Sequence, residues 1–290
     1  MFFNAVSKFH RPLKYSIIGM FNRRNVMKRK YIAIFILAFI LCAGWNIVFD
    51  TTKTTKPPTG TTSRIKETTE PQGTWPAPLQ PLEASLYPYL HFHQAMDAKI
   101  KKIPVYVAIG AISKPMQHAV VATEDRRFYS HGAIDPIGIG RAILTNIQSG
   151  ETVEGGSTLS QQVVKNVFLS QDRTIARKAQ EFVMAFLLEQ NYSKDEILEI
   201  YLNTAYFGAN ATGIDDAART YFTTSPEKLD LAQASMLAGL VQAPTYYNPL
   251  QNYQAAKARQ KIVLTLMTEQ GYISPEQSND AYKKDLGLQR

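Results

Sequence analysis

At 290 residues, with 45% hydrophobic and 19% charged side chains, the chain can hold one large or two small domains and is neither disordered throughout nor wholly membrane-embedded. A net charge of +8 would suit a nucleic-acid binder, but its distribution excludes that class: residues 1–30 carry eight Lys and Arg and no Asp or Glu, and the 24 basic and 24 acidic side chains that follow cancel. The single cysteine, Cys42, excludes an intrachain disulfide, so the fold rests on its core alone.

The first element after the basic tail (1–30) is Tyr31–Phe49, 19 residues without a charge. At 1.5 Å per residue they make a helix about 28 Å long, close to the thickness of a bilayer's hydrocarbon layer. No small-residue cleavage site follows; Trp45, Phe49 and Asp50 stand there instead, which predicts an uncleaved single-pass transmembrane anchor over 31–49. The positive-inside rule puts the tail in the cytoplasm and everything after Asp50 on the far side of the membrane. Residues 50–82 read as a linker, with ten Thr and six Pro between 51 and 81. Residues 83–290 have globular composition and form the remaining domain.

That domain reads as mainly α, from about 95 to 285. The apolar run His118–Ala122 predicts a helix. Ser193 with Glu196 three residues on is a capping box, followed by Ile197, Ile200 and Tyr201 at helical spacing. Ser225-Pro226 and Ser274-Pro275 each offer an N-cap with Pro at the first helical position. Leu229 to Val241 is apolar and Ala-rich, as a buried helix would be, and Val105 to Ile109 is the best short strand candidate.

Three segments carry groups able to do chemistry. Thr123–Asp135 packs acids, arginines, a histidine and aromatics directly after an apolar run. That suits a cleft, or equally a solvated helix end with internal ion pairs. Gly155–Asn166 opens with Gly-Gly-Ser-Thr, which can bring backbone N–H groups to an anion at a helix start or form an ordinary turn and cap. In Asp172–Glu181, Arg177 and Lys178 lie four and three residues before Glu181 and share its helix face. This is a surface ion pair, or a carboxylate held among cations that also receive a phosphate.

These segments, with two more, resemble the five ordered motifs of family 51 glycosyltransferases, the polymerases of bacterial peptidoglycan, which occur as monofunctional enzymes and within class A penicillin-binding proteins. The matching stretches are Glu124–Asp135, Gly155–Gln162, Arg177–Glu181, Lys194–Asn203 and Arg259–Leu264, and the likeness covers roughly residues 100–275. The chain departs from the family at Ala133, where glycine is usual, and at Leu159 and Ser160, where Ile and Thr are commoner.

The resemblance implies a lysozyme-like helical fold that joins lipid II units, disaccharides carried on a polyprenyl pyrophosphate, into glycan strands with inversion. Glu124 then matches the family's catalytic base, and Asp125 orients the site. Arg127 steadies acidic groups on the binding side. Lys165, Arg173, Arg177 and Lys178 bind pyrophosphate oxygens. Glu181 matches the second family glutamate, which holds those cations and ligates a divalent cation, Mg2+ or Mn2+; no organic cofactor is implied. Ser157, Gln161 and Gln162 line the sugar-pyrophosphate groove, while Lys194, Tyr201, Asn203 and Arg259 support from behind. The implied partners are lipid II, the growing strand, membrane lipids and cell-wall synthases or division proteins, with no nucleic acid. The implied location is the outer face of the bacterial cytoplasmic (inner) membrane.

Two other readings stay open: a muramidase or lytic transglycosylase with Glu124 as acid, and a non-catalytic membrane-anchored scaffold. Penicillin binding is not expected. Ser225-Pro-Glu-Lys228 fits Ser-x-x-Lys, but no Lys-Thr-Gly occurs.

Overall fold

A computed structural model describes residues 80–288 except 151–154, 171 and 173. The basic tail, the apolar span Tyr31–Phe49, nearly all of the linker, and Arg173 lie outside the described residues. The described residues fall within one compact unit, Thr69–Arg290, and none of their helices is long and apolar enough to cross a membrane.

Its described residues form eleven α-helices and one short hairpin, so the fold is mainly α. They are α1 (Gln80–Leu90), α2 (Phe92–Ile100), α3 (Lys114–Glu124), α4 (Pro136–Ser149), α5 (Leu159–Phe168), α6 (Ile175–Asn191) and α7 (Lys194–Thr204). The hairpin β1 (Tyr206–Gly208) and β2 (Ala211–Thr212) follows, then α8 (Ile214–Phe222), α9 (Leu231–Leu240), α10 (Tyr253–Glu269) and α11 (Pro275–Lys283).

Polar caps set where most of these helices start. Ser193 and Glu196 form the expected capping box on α7, and Ser274 with Gln277 forms another on α11. Thr158 with Gln161 opens α5 and Asp230 with Gln233 opens α9 in the same way. Such a cap contributes about 1 kcal/mol over alanine. Ser225 is not an N-cap of this kind: its side chain makes no capping bond, and Pro226–Lys228 is a single 3-10 turn before Asp230 starts the real helix.

Helix α9 is buried on every side, from Ala234 to Leu240, and packs between α3 and α10. Helix α3 answers with Met116, Ala119, Val120, Val121 and Ala122, all buried. A second layer packs α5 against α6 and α7. The last residue of α3, Glu124, is thereby held at the junction of both groups.

Val105–Ile109 is not a strand. Val105 lies in a bend and Ile109 opens a 3-10 turn, and the backbone of Val107 and Ile109 pairs with side chains of α7. Asn203 accepts from Val107 N and donates to Val107 O, each at 2.8 Å, and also donates to Glu199 O at 2.8 Å. Glu199 accepts from Ile109 N at 2.6 Å. A buried asparagine thus does the work of a neighbouring strand. Asn203→Ala leaves both polar groups of Val107 without these partners, and should cost about 2–4 kcal/mol in chemical unfolding; an unchanged midpoint would refute this account.

The hairpin is the strand the sequence pattern did not reveal. Ala209 and Asn210 both take positive φ, 49° and 60°, as a two-residue mirror-image turn requires. Gly208 follows suit at φ 85°, and a Cβ there would sit 2.6 Å from Pro244 O, so the hairpin is seated directly on the loop after α9.

Candidate active site

Glu124 ends α3, and Asp125 leaves the helix at φ −158°, ψ 74°. Asp125 is buried and both its oxygens are used. One meets His131 Nε2 at 2.7 Å, and the other accepts from Leu159 N, at the start of α5, at 3.0 Å. His131 Nδ1 lies 2.6 Å from Gly132 O. Thr158, the α5 cap, donates to Ala133 O at 2.9 Å, and Arg127 Nε pairs with Asp135 at 3.2 Å. Residues 125–135 therefore form a loop with internal ion pairs, fastened to the start of α5.

That fastening brings Gln162 of α5 to the carboxylate: its Nε2 donates to Glu124 Oε2 at 2.9 Å. Burial pushes the Glu124 pKa up. The Gln162 hydrogen bond and the charges of Arg259 and Lys165 restrain the rise, and Asp125 adds to it. Tyr201, fully buried on α7, points its hydroxyl at Gln162 Oε1 at 3.5 Å. Burial and the Glu124 charge hold its phenol well above the ordinary value, so it stays protonated.

A second centre lies on α6. Thr174 caps the helix, and about two turns later the Glu181 carboxylate, only 3% exposed, pairs with Arg177 Nη1 at 2.8 Å and with Lys178 Nζ. Lys178 also donates to Ser157 Oγ at 3.0 Å, immediately before the α5 cap. Arg177 Nε is buried without a partner among the described residues. Within this segment Glu181 is buried, while Arg177 and Lys178 stay 16% and 38% exposed. Both centres touch the region where α5 starts, one at Ser157 and the other at Gln162.

Supporting contacts come from α7 and α10. Lys194 Nζ sits 4.5 Å from the Phe128 ring centroid and pairs with Glu189 at 2.7 Å; Glu189 also accepts from Ser160. Tyr129 donates to Asp195 at 3.1 Å. Arg259 of α10 lies beside the Tyr247 ring, 6.0 Å from its centroid, and its Nε has no partner among the described residues. Burial lowers the Arg259 pKa, and the charges of Glu124 and Tyr247 oppose that.

Among the expected site residues, Gln162, Lys165 and Arg259 act on Glu124, while Ser157, Arg177 and Lys178 gather round Glu181. Gln161 does not join them as a free side chain: it is 2% exposed and its amide oxygen accepts from Thr158 N as the other half of the capping box. Thr158, Ser160, Glu189 and His131 hold the site without having been singled out. Thr158-x-x-Gln161 was a readable capping signal; the Ser160–Glu189 contact joins two helices and left no local trace.

Among the described residues, the groups close enough to hold a divalent ion already have partners. Ligand atoms of Asp125, His131 and Asp135 lie within 4.8 Å of one another. Each is already occupied, by Leu159 N, by one another, by Gly132 O, by Arg127 or by Ile137 N. Both Glu181 oxygens face cations. An ion at either place would have to displace an existing partner.

A transglycosylase family model matches residues 93–268. The chain belongs to the transglycosylase family. Penicillin-binding protein 1A/1B of Bacillus subtilis is 50% identical over 187 residues, 63% of this chain and 20% of that protein. Penicillin-binding proteins 1A of Neisseria flavescens and Aquifex aeolicus are each 43% identical over 185 residues, 64% of this chain and 23% and 26% of those proteins. The chain thus spans about a fifth to a quarter of the length of these relatives. The crystal structure of penicillin-binding protein 1A from Haemophilus influenzae aligns with 64% of this chain and 18% of that one, at 22% identity and a TM-score of 0.40, too slight a likeness to carry an argument. The family match covers both centres, from before Glu124 to beyond Arg259.

Proposed function

We propose that this transglycosylase is a peptidoglycan glycosyltransferase that polymerises lipid II, with Glu124 as general base. The observation that carries the reading is that two centres attach to the start of α5: a carboxylate made more basic by burial, and a cation pair organised by Glu181. Glu124 takes the proton from the attacking sugar hydroxyl. The freed oxygen pair bonds to the donor's anomeric carbon from the face opposite the pyrophosphate. The carbon–oxygen bond to pyrophosphate breaks, and its electron pair leaves on the phosphate oxygen. Lys165, Arg177 and Lys178, with Arg173 beside them in sequence, balance that charge.

A muramidase or lytic enzyme could also use a glutamate with raised pKa, but it releases no pyrophosphate and has no use for the cation pair. The scaffold reading leaves both centres without a purpose. The test is the purified chain with lipid-linked disaccharide in detergent, set against purified sacculi. Glycan polymer from the first supports the reading; clearing of sacculi without polymer would replace it with the lytic one.

The wider setting belongs to the same proposal. The core would be of the lysozyme-like helical type. Residues 1–30 lie in the cytoplasm, 31–49 anchor the chain in the cytoplasmic (inner) membrane, 50–82 link, and 83–290 work on the outer side. Helix α4 suits that setting, since Ile137, Ile143, Leu144 and Ile147 are exposed within about 120° of its circumference and offer an aliphatic face to lipid. Cell-wall synthases or division proteins would be further partners. Any Mg2+ or Mn2+ would have to compete with Lys178 for Glu181, and no step above is routed through it.

The rate should follow the ionised form of Glu124. Because burial lifts its pKa above the ordinary 4.5, the acid limb of the kcat/KM profile should lie above that of a free glutamate, with rate lost as pH falls through the raised value. A limb at the ordinary position or below would contradict this environment.

A further inference from the structure

Two kinds of exposed apolar surface occur on this unit, and they differ in chemistry. The α4 face is aliphatic. The other is aromatic, with Tyr206 of β1 at 45% exposure and Tyr246 of the loop after α9 at 61%. Neither phenol has a hydrogen bond among the described residues, whereas those of Tyr129, Tyr192 and Tyr221 are engaged. An exposed tyrosine of this kind presents a flat apolar ring and a polar tip together. That matches a sugar, whose ring carries a C–H face and a rim of hydroxyls, better than it matches a lipid tail.

The two tyrosines sit on elements that are fixed against each other. Gly208, two residues after Tyr206, has no side chain because Pro244 O lies where a Cβ would meet it at 2.6 Å, and Tyr221 of α8 donates to Phe207 O at 2.9 Å. Tyr246 packs edge-on against Tyr247 with ring centroids 5.1 Å apart, and Tyr247 in turn lies against Arg259, whose charge acts on Glu124. Ring contacts thus run from Tyr246 through Tyr247 to Arg259, whose charge is felt at Glu124.

We infer that Tyr206 and Tyr246, backed by Tyr247, form a stacking platform for the sugar rings of a glycan strand leading away from the reaction centre. This rests on the polymerase reading above and adds to it a strand-holding surface. A platform that tolerates any sugar ring in the strand would hold the polymer between additions, and so bear on product length.

The probe is chitohexaose, a neutral β-1,4-linked N-acetylglucosamine oligomer without lipid or phosphate, titrated into the full chain in detergent. The wild type should bind it. The Tyr206→Ala/Tyr246→Ala double variant should bind roughly tenfold more weakly at an unchanged melting temperature, and Tyr206→Trp/Tyr246→Trp should keep the affinity. With lipid-linked disaccharide, the alanine variant should release shorter strands. No binding by the wild type, or equal binding and equal strand length in the double variant, would overturn the platform. So would a double variant that keeps the sugar but loses contact with vesicles of anionic phospholipid, since the surface would then be a membrane contact. Binding of chitohexaose by a wild type that makes no polymer would sink the enzymatic reading and leave the sugar surface standing.

Discussion

Glu124→Gln should give a folded protein that does not polymerise. The substitution keeps the shape of the side chain and an oxygen able to accept from Gln162 at the 2.9 Å position, but removes the basic oxygen. General-base help contributes about 10²–10⁴-fold in rate, so kcat should fall by at least about 100-fold with little change in KM. The stability effect has the opposite sign. A carboxyl whose folded pKa is raised contributes stability that is fully present below its unfolded pKa and is lost as pH rises through the folded one. The glutamine is neutral throughout and escapes that loss, so at neutral pH the variant should melt at or above the wild type. Wild-type turnover would remove Glu124 from its role, and a sharply lowered melting temperature would contradict the burial argument.

Glu181→Gln should damage both activity and stability. Its carboxylate is 3% exposed and is shared between Arg177, 16% exposed, and Lys178, 38% exposed. An amide offers one acceptor oxygen and turns an N–H2 towards the other cation. Breaking a buried pair costs about 3–5 kcal/mol, and the lower end applies because water reaches Lys178. Lys178 would also lose the arrangement that holds it 3.0 Å from Ser157. The expected result is a fall of about 100-fold in kcat/KM together with a lower unfolding midpoint. Glu181→Asp, which restores charge on a shorter stem, should recover part of the midpoint and less of the rate. An unchanged kcat/KM in Glu181→Gln would show that the cations do not depend on this carboxylate, and the second centre would lose its meaning.

Much of this was legible in the chain because it is local. The capping box at Ser193 and the N-cap at Ser274 depend on near neighbours, and the placing of Arg177 and Lys178 on the Glu181 face on spacings of four and three residues. What the pattern could not show is contact across distance. Val105–Ile109 has strand composition, but its partner is Asn203, 96 residues away from Val107, so composition suggested a sheet where a side chain serves. Gln161 and Gln162 are adjacent and chemically alike; only the helix start at Thr158 decides that the first caps and the second reaches Glu124. Ser225-Pro226 carried the right signal over too short a turn, and the helix waited for Asp230. The hairpin escaped because its turn, Ala209-Asn210, lacks the glycine that usually marks two consecutive positive φ angles.

Gly239 stands in α9, outside every motif, yet a methyl group there would come within 3.0 Å of Arg259 Cγ and force the side chain to give way by a few tenths of an ångström. Arg259 is one of the charges that restrain the basicity of Glu124. Drift at one small residue in the core would therefore move a charge that faces Glu124, while the group bonded to that carboxylate, Gln162, stayed the same.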